Sequence, residues 1–146
     1  MECTTAASVI TYLSKLELDT ATLYEQWGRV HEKLGDSFAA FAKANRKNEQ
    51  KVKRSYYSVV SDALETNFCF KDLTADIAIP EFSNRASVSE VLNLAVELEK
   101  EIQAFYVKAA NSSRALLADV PRQMDKVSQE RAKRVEQLQA LAASKP

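Results

Sequence analysis

Two nine-residue stretches, LELDTATLY (residues 16–24) and LEKEIQAFY (residues 98–106), share a pattern that predicts a helical bundle. Each places a glutamate within an apolar stripe of helical period, and each ends in a tyrosine seven residues after that glutamate. Burying a carboxylate among apolar side chains is costly unless a metal ion, a cation or a proton neutralises it. Glu17 and Glu99, at matching positions of two helices, therefore predict a charged centre inside the bundle.

The composition is typical of a single helical domain with balanced charges. The chain has 146 residues, enough to bury a sizeable core, and only two glycines and three prolines. Twenty basic and twenty acidic residues cancel to a formal net charge of zero, which argues against nucleic acid or an anionic membrane as the main partner. Cys3 and Cys69 form no CxxC motif, and no apolar run has the length of a membrane span. We therefore expect a cytoplasmic protein with neither a nucleic-acid nor a membrane partner.

Apolar periodicity predicts one domain, residues 1–146, with four long helices. They are helix A at about residues 5–33, helix B at about 37–66, helix C at about 87–111 and helix D at about 120–143. A long segment, at about residues 67–86, separates helices B and C, whereas the other two connections are short. Ser87 and Glu90 have the spacing of a capping box that opens helix C. Short, long and short connections predict an all-α four-helix bundle with one crossover between helices B and C.

Three features lie away from the predicted centre. The apolar stripe of helix A is predicted to continue through Val30 to Leu34, with His31 near the surface at the helix end. In helix B, the basic run from Lys43 to Arg54 is interpreted as one solvated helix face.

The Leu-Glu pairs of helices A and C, each followed by a tyrosine, resemble the ferritin-like superfamily, especially rubrerythrin-type proteins. In that family, helices A and C each supply a glutamate, helices B and D each supply a Glu-x-x-His pair, and these six residues hold two iron ions. The resemblance covers most of the chain, from Val9 to Leu138. It implies a ferritin-like bundle, and it implies a homodimer, because many ferritin-like proteins associate through the sides of their bundles.

Carried over residue by residue, the resemblance keeps both single glutamates and loses both Glu-x-x-His pairs. The matching positions are, in chain order, Glu17, Asn45, Asn48, Glu99, Arg131 and Arg134. Shifting helix D by one residue selects Glu130 and Lys133 instead, which also restores no histidine. Asparagine is a poor ligand for iron, and arginine is not a ligand because its guanidinium stays protonated.

Three interpretations of these positions remain open. In the first, the arginines pair with the glutamates and the asparagines add hydrogen bonds, no metal binds, and the protein is a non-catalytic binding or structural module. Tyr24 and Tyr106 then form the layer around this network. In the second, a di-iron oxidase or peroxidase holds two iron ions with an atypical ligand set that includes Glu17, Glu99 and Glu130. In the third, the former metal cavity is a polar pocket for a small molecule; the sequence names no substrate.

Overall fold

The structure is a computed structural model, and it describes residues 6–60, 76–113 and 120–143. Within those residues all the regular elements are helices, residues 76–87 are irregular, and there is no strand, which confirms the predicted all-α class. The elements are α1 (Ala6–Val30), a 3₁₀ helix (Glu32–Leu34), α2 (Gly35–Val60), α3 (Val88–Ser113) and α4 (Val120–Ala143). None of the helices in these ranges is long and apolar enough to cross a membrane.

The connection between α1 and α2 differs from the prediction. Helix α1 ends at Val30 because His31 adopts an extended backbone (φ −113°, ψ 94°) and starts the 3₁₀ helix. As a result Val30, predicted to be in the core, is 41% exposed, whereas Leu34 is buried as predicted. The two glycines of the chain lie close together at this turn, where a Cβ on Gly28 would make an ordinary van der Waals contact of 3.5 Å with the Cα of Gly35.

The other helix ends lie close to their predicted positions. The capping box is confirmed: the Ser87 amide donates to Glu90 at 3.0 Å and the Glu90 amide donates to the Ser87 hydroxyl at 3.1 Å. Helix α3 continues to Ser113, slightly beyond the predicted end at residue 111, and α4 has its predicted bounds. Residues 61–75, which contain the predicted end of helix B and the start of the crossover, lie outside the described residues.

The directions of the helices follow from side-chain hydrogen bonds between three helix pairs. In each pair, the bonded residue has a higher number on one helix where its partner has a lower number on the other, as in antiparallel packing. The bonded pairs are Ser14–Glu49 and Glu25–Arg46 between α1 and α2, Tyr24–Glu99 and Glu17–Tyr106 between α1 and α3, and Asn45–Arg134 and Asn48–Glu130 between α2 and α4. Helix α1 is therefore antiparallel to α2 and to α3, and α2 is antiparallel to α4. It follows that α2 and α3 point in the same direction.

The described part of the segment before α3 packs against the bundle. The amide of Ile77 donates to the hydroxyl of Tyr12 at 3.2 Å, and the Tyr12 ring lies 5.1 Å from the ring of Phe105. Ile79 and Phe82 also pack on the apolar core. Burial of these side chains holds the segment on the flank of the bundle.

An aromatic cluster fills the core next to the turn between α1 and α2. Phe38 of α2 lies 5.0 Å from Tyr24 and 6.1 Å from Trp27, both of α1, measured between ring centroids. Phe41 lies 5.4 Å from Tyr24 in an edge-on arrangement, which is a favourable geometry for aromatic rings. This packing fixes the position of the Tyr24 hydroxyl, which points toward the polar centre.

Candidate functional site

All four helices direct polar side chains into one cluster in the core. The side chains are at most 3% exposed, and they are Glu17 and Thr20 of α1, Asn45 and Asn48 of α2, Glu99 of α3, and Arg131 and Arg134 of α4. Helical periodicity explains their burial, because each occupies a position within the apolar stripe of its helix. The six positions taken from the sequence are thus all in the interior.

Arg131 lies between the two carboxylates. Its Nη1 donates to both oxygens of Glu99, at 2.7 and 2.8 Å, and its Nη2 donates to Glu17. Within the described residues, the Nε of Arg131 has no hydrogen-bond partner. A single planar guanidinium therefore joins α1, α3 and α4 through charge-assisted hydrogen bonds.

Arg134 of α4 binds side chains of α2 and α3. Its Nη1 donates to the side-chain oxygen of Asn45 at 2.6 Å and to Glu99 at 3.2 Å. Its Nη2 lies 3.4 Å from Glu130, and its guanidinium carbon is 4.8 Å from the ring centroid of Phe41. The cation is thus stabilised by two carboxylates, an amide oxygen and an aromatic face together.

The two tyrosines form a reciprocal pair of hydrogen bonds. Tyr24 of α1 donates to Glu99 of α3 at 2.5 Å, and Tyr106 of α3 donates to Glu17 of α1 at 2.5 Å. Burial, followed by the neighbouring carboxylate, raises the pKa of both hydroxyls well above the ordinary value. Both tyrosines therefore remain protonated donors, as expected for core aromatics with satisfied hydroxyls.

The asparagines have different partners. Asn45 donates to the hydroxyl of Thr20 at 2.7 Å and to the backbone oxygen of Glu17 at 3.3 Å. Asn48 donates to Glu130 at 2.7 Å, and no hydrogen bond is seen between it and either buried glutamate in the described residues. Sequence reasoning gave no role in the network to Thr20, although the residue lies in the predicted stripe of helix A.

The structure also shows which register of α4 faces the centre. Glu130, the alternative ligand, has a side chain that is 43% exposed and lies at the edge of the network. Lys133 is exposed, whereas Arg131 and Arg134 are at most 2% exposed. The shifted register thus does not bring Glu130 between Glu17 and Glu99.

The two buried glutamates differ in their electrostatic environment. Burial raises the pKa of Glu17 above its ordinary value, and Arg131 and Tyr106 offset only part of this rise. Burial also acts on Glu99, but Arg131, Arg134 and Tyr24 together hold the pKa of that carboxyl below its ordinary value. Glu17 is therefore the buried carboxylate that takes up a proton first as the pH falls.

This difference predicts opposite pH dependences for two matched variants. The low pKa of Glu99 stabilises the fold above the unfolded value of about 4.5, and this contribution is lost as the pH falls through the folded pKa. The raised pKa of Glu17 contributes stability below about 4.5, which is lost as the pH rises through the folded pKa. We expect the deficit of Glu99→Gln relative to wild type to grow with rising pH, and that of Glu17→Gln to shrink.

Urea unfolding of the three proteins between about pH 3 and pH 8 measures both trends, since one group changes the slope by at most about 1.4 kcal/mol per pH unit. Parallel pH profiles for the two variants would contradict the assigned asymmetry.

The residues do not fit a pair of iron ions. In residues 6–60, 76–113 and 120–143, no group of three or more histidine, cysteine, aspartate or glutamate side chains is placed to hold a metal. A guanidinium that donates to both Glu17 and Glu99 puts a positive charge, and no donor lone pair, between the two potential ligands. Burial lowers the pKa of Arg131, but the two carboxylates outweigh this and keep the pKa above its ordinary value, so the charge persists.

Comparison of the chain with protein-family models, curated proteins and solved structures gave no match. The contacts of the buried network are therefore the basis for assigning a function.

Proposed function

We propose that the chain is a metal-free, non-catalytic ferritin-like protein in which an internal Glu/Arg/Asn network takes the place of a di-iron site, and that it acts as a binding or structural module. The observation that carries this proposal is the position of Arg131, whose guanidinium donates to Glu17 and to Glu99. Two guanidinium groups balance the two carboxylates and perform the electrostatic role of two metal ions without their redox chemistry.

The helix directions support a ferritin-like connection between α2 and α3. Because both helices point the same way, the chain between them has to return along the length of the bundle. Ile77 contacts Tyr12, whose ring lies against Phe105 in the second half of α3. From there the chain runs back to Val88, where α3 begins. The distance from Phe105 to Val88 along the helix is about 25 Å, which eleven extended residues can cover.

The state of the polar groups supports a non-catalytic role. Both tyrosines are held as protonated donors, and Arg131 stays charged. The side chains at the centre are almost fully buried and bonded to one another, so the described residues offer no exposed acid, base or nucleophile there. A cytoplasmic location, expected from the sequence, remains part of the proposal. So does association between copies of the chain, for which the resemblance implies a homodimer.

Iron content tests the proposal directly. Protein purified without chelator and offered ferrous iron under anaerobic conditions should retain well under one iron per chain by elemental analysis, because Arg131 repels a cation from both carboxylates. The matched control is Glu17→Ala, which should give the same low value. About two irons per chain in the wild type, lost in Glu17→Ala, would support the alternative, a rubrerythrin-like di-iron oxidase or peroxidase with an atypical ligand set.

A further inference from the structure

The outward side of α2 and α4 carries exposed basic residues. We call this set the basic face, and its members are Lys43, Lys47, Lys51 and Arg54 of α2 and Lys126 and Lys133 of α4. The α2 members follow one another at intervals of four, four and three residues, so they lie on one side of that helix. In the described residues no ion pair is formed by any of the six; the acidic residue between the helices, Glu130, is bonded to Asn48 and Arg134.

An open apolar cavity lies at one end of the basic face. Its volume is about 500 Å³, and it is lined by Ser37, Ala40 and Phe41 of α2 and by Gln137, Ala140 and Leu141 of α4. The basic face begins one helical turn away, since Lys43 follows Ala40 by three residues. An occupant of this groove therefore needs an apolar group at one end and negative charges beyond it.

The opposite side of the bundle, formed by α1 and α3, carries an exposed apolar side chain followed by exposed carboxylates. Leu94 of α3 is 41% exposed, and Glu97 and Glu101 on the same side of the helix are exposed as well. Leu94 precedes Phe105 by three helical turns, which places it on the side of α3 that packs against Tyr12 of α1. No ion pair involves Glu97 or Glu101 in the part of the chain that the structure describes.

The residues of the two surfaces are spaced alike along their helices. Ala40, Lys43 and Lys47 stand at positions i, i+3 and i+7 of α2, and Leu94, Glu97 and Glu101 stand at positions i, i+3 and i+7 of α3. Because α2 and α3 point in the same direction, a second copy in parallel orientation brings the leucine to the cavity and each glutamate to a lysine. The leucine contact and the two charged pairs then lie on about 10 Å of helix, at the standard rise.

We infer that the chain associates with a second copy of itself head to tail, with α3 of one copy lying in the groove between α2 and α4 of the next. A two-fold dimer through the basic face would oppose charges of the same sign, whereas the head-to-tail contact pairs opposite charges. The zero net charge adds no overall repulsion between copies. This inference rests on the structural role in the proposed function. Association is measured separately from iron content, so either the inference or the proposed function can fail without the other.

Sedimentation velocity at low ionic strength, over a range of protein concentrations, tests the contact. The wild type should form species that grow beyond a dimer as the concentration rises, because each added copy leaves one basic and one acidic surface open. Raising the ionic strength toward 1 M should weaken the association, since the Debye length falls from about 10 Å at 0.1 M to about 3 Å. A wild type that stays monomeric would overturn the inference. So would one that stops at a dimer, which is the assembly that the ferritin-like resemblance implies.

Charge reversal makes the test specific. Lys43→Glu/Lys47→Glu and Glu97→Lys/Glu101→Lys should each weaken association by about tenfold or more, because like charges then face each other. A mixture of the two variants, and a chain that combines all four changes, should associate again. Arg29→Glu/Lys33→Glu, which makes the same charge change at exposed positions that belong to neither set of charged residues, should match the wild type. Equal weakening by this control, or no recovery in the combined variant, would refute the contact.

Discussion

Replacing Arg131 with methionine should destabilise the protein by about 3–5 kcal/mol at neutral pH, the usual cost of removing one partner of a buried ion pair. Arg131 is fully buried, and it is the cation that bonds to both Glu17 and Glu99. Methionine fills much of the same space, so the loss comes from the two stranded carboxylates more than from a cavity. Arg134 remains beside Glu99, and the larger part of the penalty therefore falls on Glu17.

Denaturant unfolding followed by circular dichroism measures this loss, with Lys133→Met as the matched control. Lys133 lies on the same helix but is exposed, so its replacement should change the free energy of unfolding by no more than about 0.5 kcal/mol. Adding Glu17→Gln to Arg131→Met should recover part of the stability, because the stranded charge is then removed. A loss of less than about 1 kcal/mol for Arg131→Met would mean that the network does not hold the bundle together.

The buried network was predicted in two steps: the repeated helical pattern gave the two glutamates, and the ferritin-like resemblance gave the other four positions. Glu17 and Glu99 occupy the same place in two similar stretches, and an edge position would not explain the tyrosine that follows each of them. Two buried carboxylates called for a metal, a cation or a proton. The ferritin-like resemblance then pointed to Arg131 and Arg134 of helix D, or to Glu130 and Lys133 in the shifted register. The structure places these side chains together, with both arginines bonded to carboxylate oxygens.

Other features depend on tertiary contacts that periodicity does not contain. The stripe of helix A continues through Val30 in the sequence, but the extended backbone of His31 ends the helix at Val30, which is 41% exposed. Periodicity gives the side of a helix on which a residue lies, but it does not give the hydrogen-bond partner. Asn48 is therefore buried as expected, yet it bonds to the partly exposed Glu130 at the edge of the network.

Restoring the four missing ligands should convert the metal-free centre into a site for two metal ions. The changes are Asn45→Glu, Asn48→His, Arg131→Glu and Arg134→His, made together, with Glu17 and Glu99 left in place. They recreate the two single glutamates and the two Glu-x-x-His pairs of the ferritin-like pattern. Without metal, four carboxylates at one centre repel one another and the variant should be markedly less stable than the wild type. Metal binding should then stabilise it, by an amount that grows with the logarithm of the free metal concentration.

Elemental analysis after anaerobic loading with ferrous iron should give about two irons per chain for this variant, as in a complete di-iron ligand set. Thermal unfolding with and without manganese(II), which does not require oxidation chemistry, provides a second readout if the iron-free protein is only partly folded.

The decisive control keeps Arg131 and makes the other three changes. Its guanidinium still donates to Glu17 and Glu99, so metal uptake should stay near the wild-type level. Equal metal uptake by the three-change and four-change proteins would show that Arg131 does not block the site. No uptake and no metal-dependent stabilisation in the four-change protein would count against descent from a di-iron bundle.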